Sequence, residues 1–250
     1  MAVDSHAHIN SLLIEDAQKE ICDINNNGNI DFLINIGLNY ETSKESIEIA
    51  QKNPKFYSSV GIHPLYIKSQ NIDDLYSLAS NNKVVAIGEI GLDNLKNNFE
   101  QQKKYLVEQI TIANELGLPV IIHSNNMNKE VIKIFEKYVK PKYGCVFHCF
   151  QPDLEDLKYL VKNEYYISFA GRVTYKNAKK SLEIARLVPN NLFLLETDSP
   201  YIAPEPVRNL KNHSANIIYI IKRLSDVKKL SYEEIETLTT ENTKRLFKKI

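Results

Sequence analysis

Five of the six histidines in this chain stand at the ends of short apolar runs, and the informative carboxylates do the same. His6 and His8 follow Val3–Asp4, His63 follows Val-Gly-Ile, and Glu89 follows Ala-Ile-Gly with Asp93 four residues on. His123 follows Val-Ile-Ile, His148 follows Cys-Val-Phe, and Asp198 closes Leu-Leu-Glu-Thr-Asp; only His213 lies elsewhere. In extended backbone, side chains two residues apart share a face, so His6 and His8 can grip one ion together. Alone, a His-x-His pair is a weak sign. Imidazoles joined by carboxylates form a donor set suited to one or two divalent transition-type ions. Two such ions can activate a water and also stabilise a leaving oxygen, as in many phosphodiester hydrolases.

For those residues to meet, many strand ends must open onto one place. Strand-like runs are predicted at Ala2–Asp4, Phe32–Ile36, Phe56–Val60, Val84–Gly88, Val120–Ile122, Cys145–Phe147, Tyr165–Phe169 and Leu192–Leu195. Amphipathic helical patterns separate them at Ile14–Asn26, Glu41–Lys52, Asp73–Ser80, Phe99–Leu116, Lys129–Tyr138, Leu154–Lys162 and Ala178–Leu187, and two more follow at Ser214–Leu224 and Tyr232–Phe247. Eight strands, each followed by a helix, predict an α/β fold of the (β/α)8 TIM-barrel type, whose strand C-termini share one face. No glycine-rich nucleotide loop follows any strand to favour an open sheet. Gly28 in the polar stretch Asn25–Asn29 reads as a helix stop. No low-complexity linker divides the chain, so residues 1–250 are expected to form a single domain.

Composition narrows the class. Thirty-one basic residues balance 31 acidic ones, so no global field draws nucleic acid, although a local basic strip remains open. Three cysteines, Cys22, Cys145 and Cys149, form no Cys-x-x-Cys pair, and acidic and polar residues follow Met1 too soon for a secretory leader. Reduced thiols and a cytoplasmic location are expected. No apolar run reaches membrane-spanning length. Nothing in the sequence points to an obligate protein partner.

Six segments in order, Asp-Ser-His-Ala-His, Gly-Ile-His-Pro, Ile-Gly-Glu-Ile-Gly-Leu-Asp, Ile-His-Ser, His-Cys-Phe and Glu-Thr-Asp-Ser-Pro-Tyr, resemble those of the TatD-family deoxyribonucleases, metal-dependent hydrolases of the amidohydrolase-like barrel superfamily. The terminal Thr-Thr-Glu-Asn-Thr-Lys-Arg-Leu-Phe resembles the family's last helix. The resemblance implies cleavage of DNA phosphodiesters, at single strands or 3′ ends, through water activated by two divalent ions (Mg, Mn or Zn). It places His6, His8 and Asp198 on one ion, His123 and His148 on the other, and Glu89 between them. Asp198 becomes the general base, with Glu89 also counted as catalytic, and His63 meets a phosphate oxygen. Arg208, Lys211 and Asn212 are further expected substrate contacts.

The chain departs from the family pattern at Asn94, Asn125 and Asn126, at Pro206-Val207-Arg208 and at Lys211-Asn212-His213-Ser214, all in loops expected to face substrate. Two other functions therefore stand beside the first. One is amide or ester hydrolysis at the same centre, for example deacylation of D-aminoacyl-tRNA. The other is a nucleic-acid-binding protein with weakened catalysis. Asp93 reads as a structural tie of its loop with a lesser role behind a ligand histidine, Glu196 as either a partner of the site or a solvated loop residue. Arg172 either meets substrate or covers the barrel mouth, and Cys145 and Cys149 read as buried fillers.

Overall fold

Apolar runs too short for helices and bounded by polar turns become strands buried on both faces, as parallel sheets under helices require. The computed structural model describes residues 1–11, 14–26, 29–68, 70–95 and 98–250. The elements alternate as β1 (Ala2–Ala7), α1 (Ile14–Asn26), β2 (Ile30–Ile36), α2 (Tyr40–Lys52), β3 (Phe56–Val60), α3 (Asp74–Ala79), β4 (Val84–Asp93) and α4 (Phe99–Leu116). They continue as β5 (Val120–Asn125), α5 (Asn128–Lys137), β6 (Cys145–Phe147), α6 (Leu154–Lys162), β7 (Tyr166–Phe169), α7 (Lys179–Leu187) and β8 (Phe193–Leu195), followed by α8 (Ile217–Lys228) and α9 (Tyr232–Leu246).

The strands pair in parallel in chain order, β1 through β8, around one continuous hydrophobic core. The seam between β8 and β1 is drawn together by other bonds. The Asp198 amide donates to the His6 carbonyl at 2.9 Å and the His8 amide to the Ser199 carbonyl at 2.7 Å. Below them, the buried Asp4 carboxylate accepts from the Thr197 amide at 2.9 Å. The expected (β/α)8 barrel is the observed fold, and this seam sets Asp198 beside the two N-terminal histidines.

Helix ends follow local chemistry. Asn39 and Thr42 form a capping box at α2, Ser231 and Glu234 another at α9, and Asp153 caps α6. α9 and the chain end cover the N-terminal ends of the strands. The Asn242 amide donates to the carbonyls of Asn190 and Phe193 at 2.8 and 2.9 Å, and Lys249 donates to the Val84 carbonyl at 3.2 Å. The opposite rim is thereby left to the loops that carry the ionisable residues.

Several boundaries differ from the sequence reading, and the differences bear on the site. β4 runs on to Asp93 and is buried throughout, so Glu89 stands within a strand. β1 reaches Ala7 and β5 reaches Asn125, which places His6 and His123 within strands too. Asn190–Leu192 and Ser214–Asn216 are short 3₁₀ turns ahead of β8 and α8. The helix stop expected at Gly28 lies outside the described residues.

Candidate metal centre

The β1 extension turns the imidazoles of His6 and His8 to one face, with their Nε2 atoms 3.1 Å apart. Glu89 Oε2 lies 3.4 Å from His6 Nε2 and 3.7 Å from His8 Nε2. Asp198 Oδ1 completes this group at 3.6 and 3.3 Å from the same two nitrogens. A tetrahedron with donors about 2.1 Å from its centre has edges of about 3.4 Å, so these separations fit one ion. His6, His8 and Asp198 are all buried and each turns one donor atom to the same point. The residues fit a metal.

The other oxygen of Glu89 belongs to a second group. Oε1 lies 2.7 Å from His123 Nδ1 and 2.8 Å from His148 Nε2, and those two nitrogens are 3.4 Å apart. Two imidazoles and a carboxylate oxygen make the three-ligand pattern that catalytic sites combine with an open position. Glu89 therefore turns one oxygen toward each of the two groups.

Hydrogen bonds behind the donors select the ring nitrogens. Asp93 Oδ2 sits 2.8 Å from His123 Nε2 and holds the proton there, so Nδ1, 2.7 Å from Glu89 Oε1, is the nitrogen whose proton a bound metal would replace. Asp93 Oδ1 also accepts the Leu95 amide at 2.7 Å. Asp93 thus makes the loop tie expected of it and also stands behind a ligand histidine. Glu196 is buried, with Oε1 accepting the Cys149 amide at 2.6 Å and lying 3.5 Å from His148 Nδ1, so the solvated-loop reading is excluded. At His63, Nδ1 accepts the Leu65 amide at 3.2 Å, which leaves the proton on Nε2, 3.6 Å from Glu89 Oε1. His63 thus presents a donor to the centre, although its position alone would also permit a ligand.

Charge is held in the form a cation needs. Burial by itself raises the Glu89 carboxyl, but the charge of His148 and the hydrogen bonds of His123 and His148 hold it well below the usual range. Burial likewise raises Asp198, and the His8 hydrogen bond with the surrounding imidazole charges lowers it further. Burial pushes the His63 imidazole down to about 3, so it is neutral. Asp198 itself has φ +54°, an uncommon conformation for a side chain-bearing residue. The Asp198 amide bond to His6 and the Tyr201 amide bond to the Asp198 carbonyl hold it there.

Two glutamines that the sequence reading passed over set the frame. Gln109 on α4 accepts the Ile62 amide at 2.7 Å and donates to the Ile62 carbonyl at 3.0 Å, one residue ahead of His63. Gln102, seven residues earlier on the same helix, does the same to Asp93 at 2.8 and 3.0 Å. Both are buried on the face that carries Leu106 and Ile110, and a buried amide on an apolar stripe was the available signal. Gly91 solves a closer problem: a Cβ there would lie 1.8 Å from the His123 carbonyl oxygen, at φ +152°. Only glycine lets β4 and β5 pair at residue 91 and His123.

The expected substrate contacts separate. His63 lies at the centre. Asn212 is fully buried, its amide donating to the carbonyls of Thr197 and Tyr201 at 2.8 and 2.6 Å, so it braces the loop instead of meeting substrate. Lys211 pairs with Asp16 of α1 at 2.6 Å. Arg208 lies 4.0 Å from the Tyr175 ring centre and 3.7 Å from Glu205. Asn125 donates to Asp93 Oδ2 at 3.3 Å and accepts from Gln151 at 3.1 Å. Cys145 is buried and burial pushes its thiol well up, and the Cys149 thiol is pushed up to about 12, so neither offers a ready thiolate.

Residues 3–248 match the model of the family described as TatD related DNase. YabD of Bacillus subtilis, an uncharacterized metal-dependent hydrolase, is 33% identical over 99% of both chains. YcfH of Escherichia coli, described in the same words, is 32% identical over 98% of this chain and 95% of its own. The crystal structure of YjjV, a TatD homologue from Escherichia coli, superposes with a TM-score of 0.91 at 25% identity, covering 99% of this chain and 98% of that one.

Proposed function

Since the chain belongs to the TatD related DNase family, with metal-dependent hydrolases as its relatives, we propose that it hydrolyses DNA phosphodiester bonds, working from the 3′ end of a single strand with two divalent ions. The observation that carries the two-ion reading is Glu89, whose two oxygens face two separate sets of imidazole nitrogens. The substrate and the polarity come from the family. His6, His8, Asp198 and Glu89 would hold one ion, and His123, His148 and Glu89 the other.

When bound, such ions lower the pKa of water and neutralise charge growing on the phosphoryl oxygens. The protein's own groups do the rest. Asp198 remains ionised despite burial and lines the cavity at the centre, so it is placed to accept the proton of the attacking water. His63 donates from Nε2 to a non-bridging oxygen as negative charge builds there. Asp93 holds the His123 ring by a hydrogen bond, and the Glu196 carboxylate lies 3.5 Å from Nδ1 of the His148 ring.

The test is release of nucleotides from end-labelled single-stranded DNA with Mg²⁺ or Mn²⁺, against EDTA. Metal-dependent release is expected, with polarity read from the label, and Glu89→Gln should lose both turnover and bound metal while keeping its circular dichroism spectrum. Full activity in that variant refutes the site. Metal-loaded protein that leaves DNA intact but frees the amino acid from D-aminoacyl-tRNA refutes the substrate.

A further inference from the structure

A cavity of ≈150 Å³ adjoins the metal centre, lined by His123, His148 and Asp198 together with Asn125, Gln151 and Arg172. Arg172 is its one cationic side chain outside the imidazoles. It stands in the 3₁₀ turn Gly171–Thr174 that follows β7. That turn is clamped to the loop carrying Asp198. A Cβ on Gly171 would lie 2.0 Å from the Ile202 carbonyl oxygen, and Thr174 Oγ1 accepts the Glu205 amide at 2.8 Å.

The polar groups around Arg172 are already engaged. Asn125 and Gln151 bond each other, Asn125 also bonds Asp93, and Gln151 accepts the Asn126 amide at 2.9 Å. The two cations expected from the sequence to meet phosphate have partners as well, Arg208 with Glu205 and Lys211 with Asp16. Among the described residues the Arg172 guanidinium has neither a hydrogen bond nor a carboxylate within 4.0 Å. Arg172 is exposed at the mouth of this cavity, and its planar fork of donors is open to a two-oxygen anion such as a phosphoryl group. Arg172 thus faces the cavity beside His123, His148 and Asp198 without pairing with a carboxylate of the metal set.

We propose that Arg172 forms a subsite for a second phosphoryl group of the substrate, the neighbour of the one being cleaved. This rests on the phosphodiesterase reading above. The enzyme then selects substrates with two adjacent phosphates over an isolated diester.

The experiment compares d(TpT), d(pTpT) and d(TpTp) with Mn²⁺-loaded wild-type protein, Arg172→Ala and Arg172→Lys. A charge-assisted pair of hydrogen bonds supports a KM at least about ten-fold lower for one of the phosphorylated dinucleotides. In Arg172→Ala that KM rises to the value for d(TpT), with kcat moving much less, and Arg172→Lys recovers part of the difference. Cleavage of d(TpT) with no gain from either added phosphate overturns the subsite alone, as does a preference that survives in Arg172→Ala. Failure to cleave any of the three, or bis(p-nitrophenyl) phosphate, overturns the phosphodiesterase reading along with it.

Discussion

Replacing Asp93 with asparagine tests whether the hydrogen bonds behind the metal donors matter. The two carboxylate oxygens have two different tasks: Oδ1 accepts the Leu95 amide at 2.7 Å and Oδ2 accepts His123 Nε2–H at 2.8 Å. An asparagine has one oxygen for both. If it serves Leu95, its NH2 faces His123, and the imidazole proton must move to Nδ1, the atom 2.7 Å from Glu89 Oε1. The lone pair meant for a metal is then gone. If the oxygen serves His123 instead, NH2 meets the Leu95 N–H and that amide loses its acceptor. Leu95 is exposed, so its amide can turn to water and this arrangement costs little. Losses of about 10–100-fold in metal affinity are usual when such a partner of a ligand histidine is removed. The backbone of residue 93 stays pinned by Gln102, so the strand itself should hold. Calorimetric metal titration of EDTA-stripped protein should show the loss at the His123–His148 group, with affinity at His6, His8 and Asp198 little changed. Long-range proton–nitrogen NMR of the imidazole reads the tautomer directly. Wild-type affinity for both ions, with His123 still protonated at Nε2, refutes the argument.

Gly91→Ala should cost more than about 3 kcal/mol, because the added Cβ meets the His123 carbonyl, which cannot move without breaking β4–β5 pairing. Gly117→Ala is the contrast: its Cβ has only the Tyr143 ring at 3.9 Å, so strain at φ +69° should cost about 1 kcal/mol. Equal melting temperatures for the two variants would contradict the steric account. Burial raises the Asp4 carboxyl from 3.8 to about 7 against the hydrogen bonds of Thr197 and His6. The folded state therefore holds a proton that the unfolded chain has released, and Asp4 lowers stability progressively as pH rises from about 4 to 7, with no further change above. Asp4→Asn keeps the acceptor for the Thr197 amide without a buried charge. In metal-free protein it should melt several degrees above wild type at pH 8 and converge with it as pH falls toward 4; a pH-independent difference counts against the assignment.

The sequence carried the order of strands and helices, because apolar runs of strand length and amphipathic helical stretches separate cleanly along the chain. Strand ends were harder to place. β4 continues through Glu89 to Asp93 because Gly88 and Gly91 let neighbouring backbone approach, and a run broken by glycines and an acid reads locally as a loop. The loop after β8 shows a similar dependence on the fold, which buries Asn212 and sets Lys211 beside Asp16. Lys211 and Asn212 have the chemistry of phosphate binders, but whether a polar side chain is free depends on which carbonyls and carboxylates the fold brings to it.

By itself, the sequence determined which groups can bind a metal and that a barrel would gather them, since residue type and position at a strand end are local facts. It did not determine which nitrogen of each imidazole faces the centre, that Arg172 in the adjoining cavity has no protein partner among the described residues, or that Glu89 divides its two oxygens between two groups. Those are questions of distance between residues far apart in the chain. Only the closed seam at β1 and β8, and the strands converging beside Glu89, decide them.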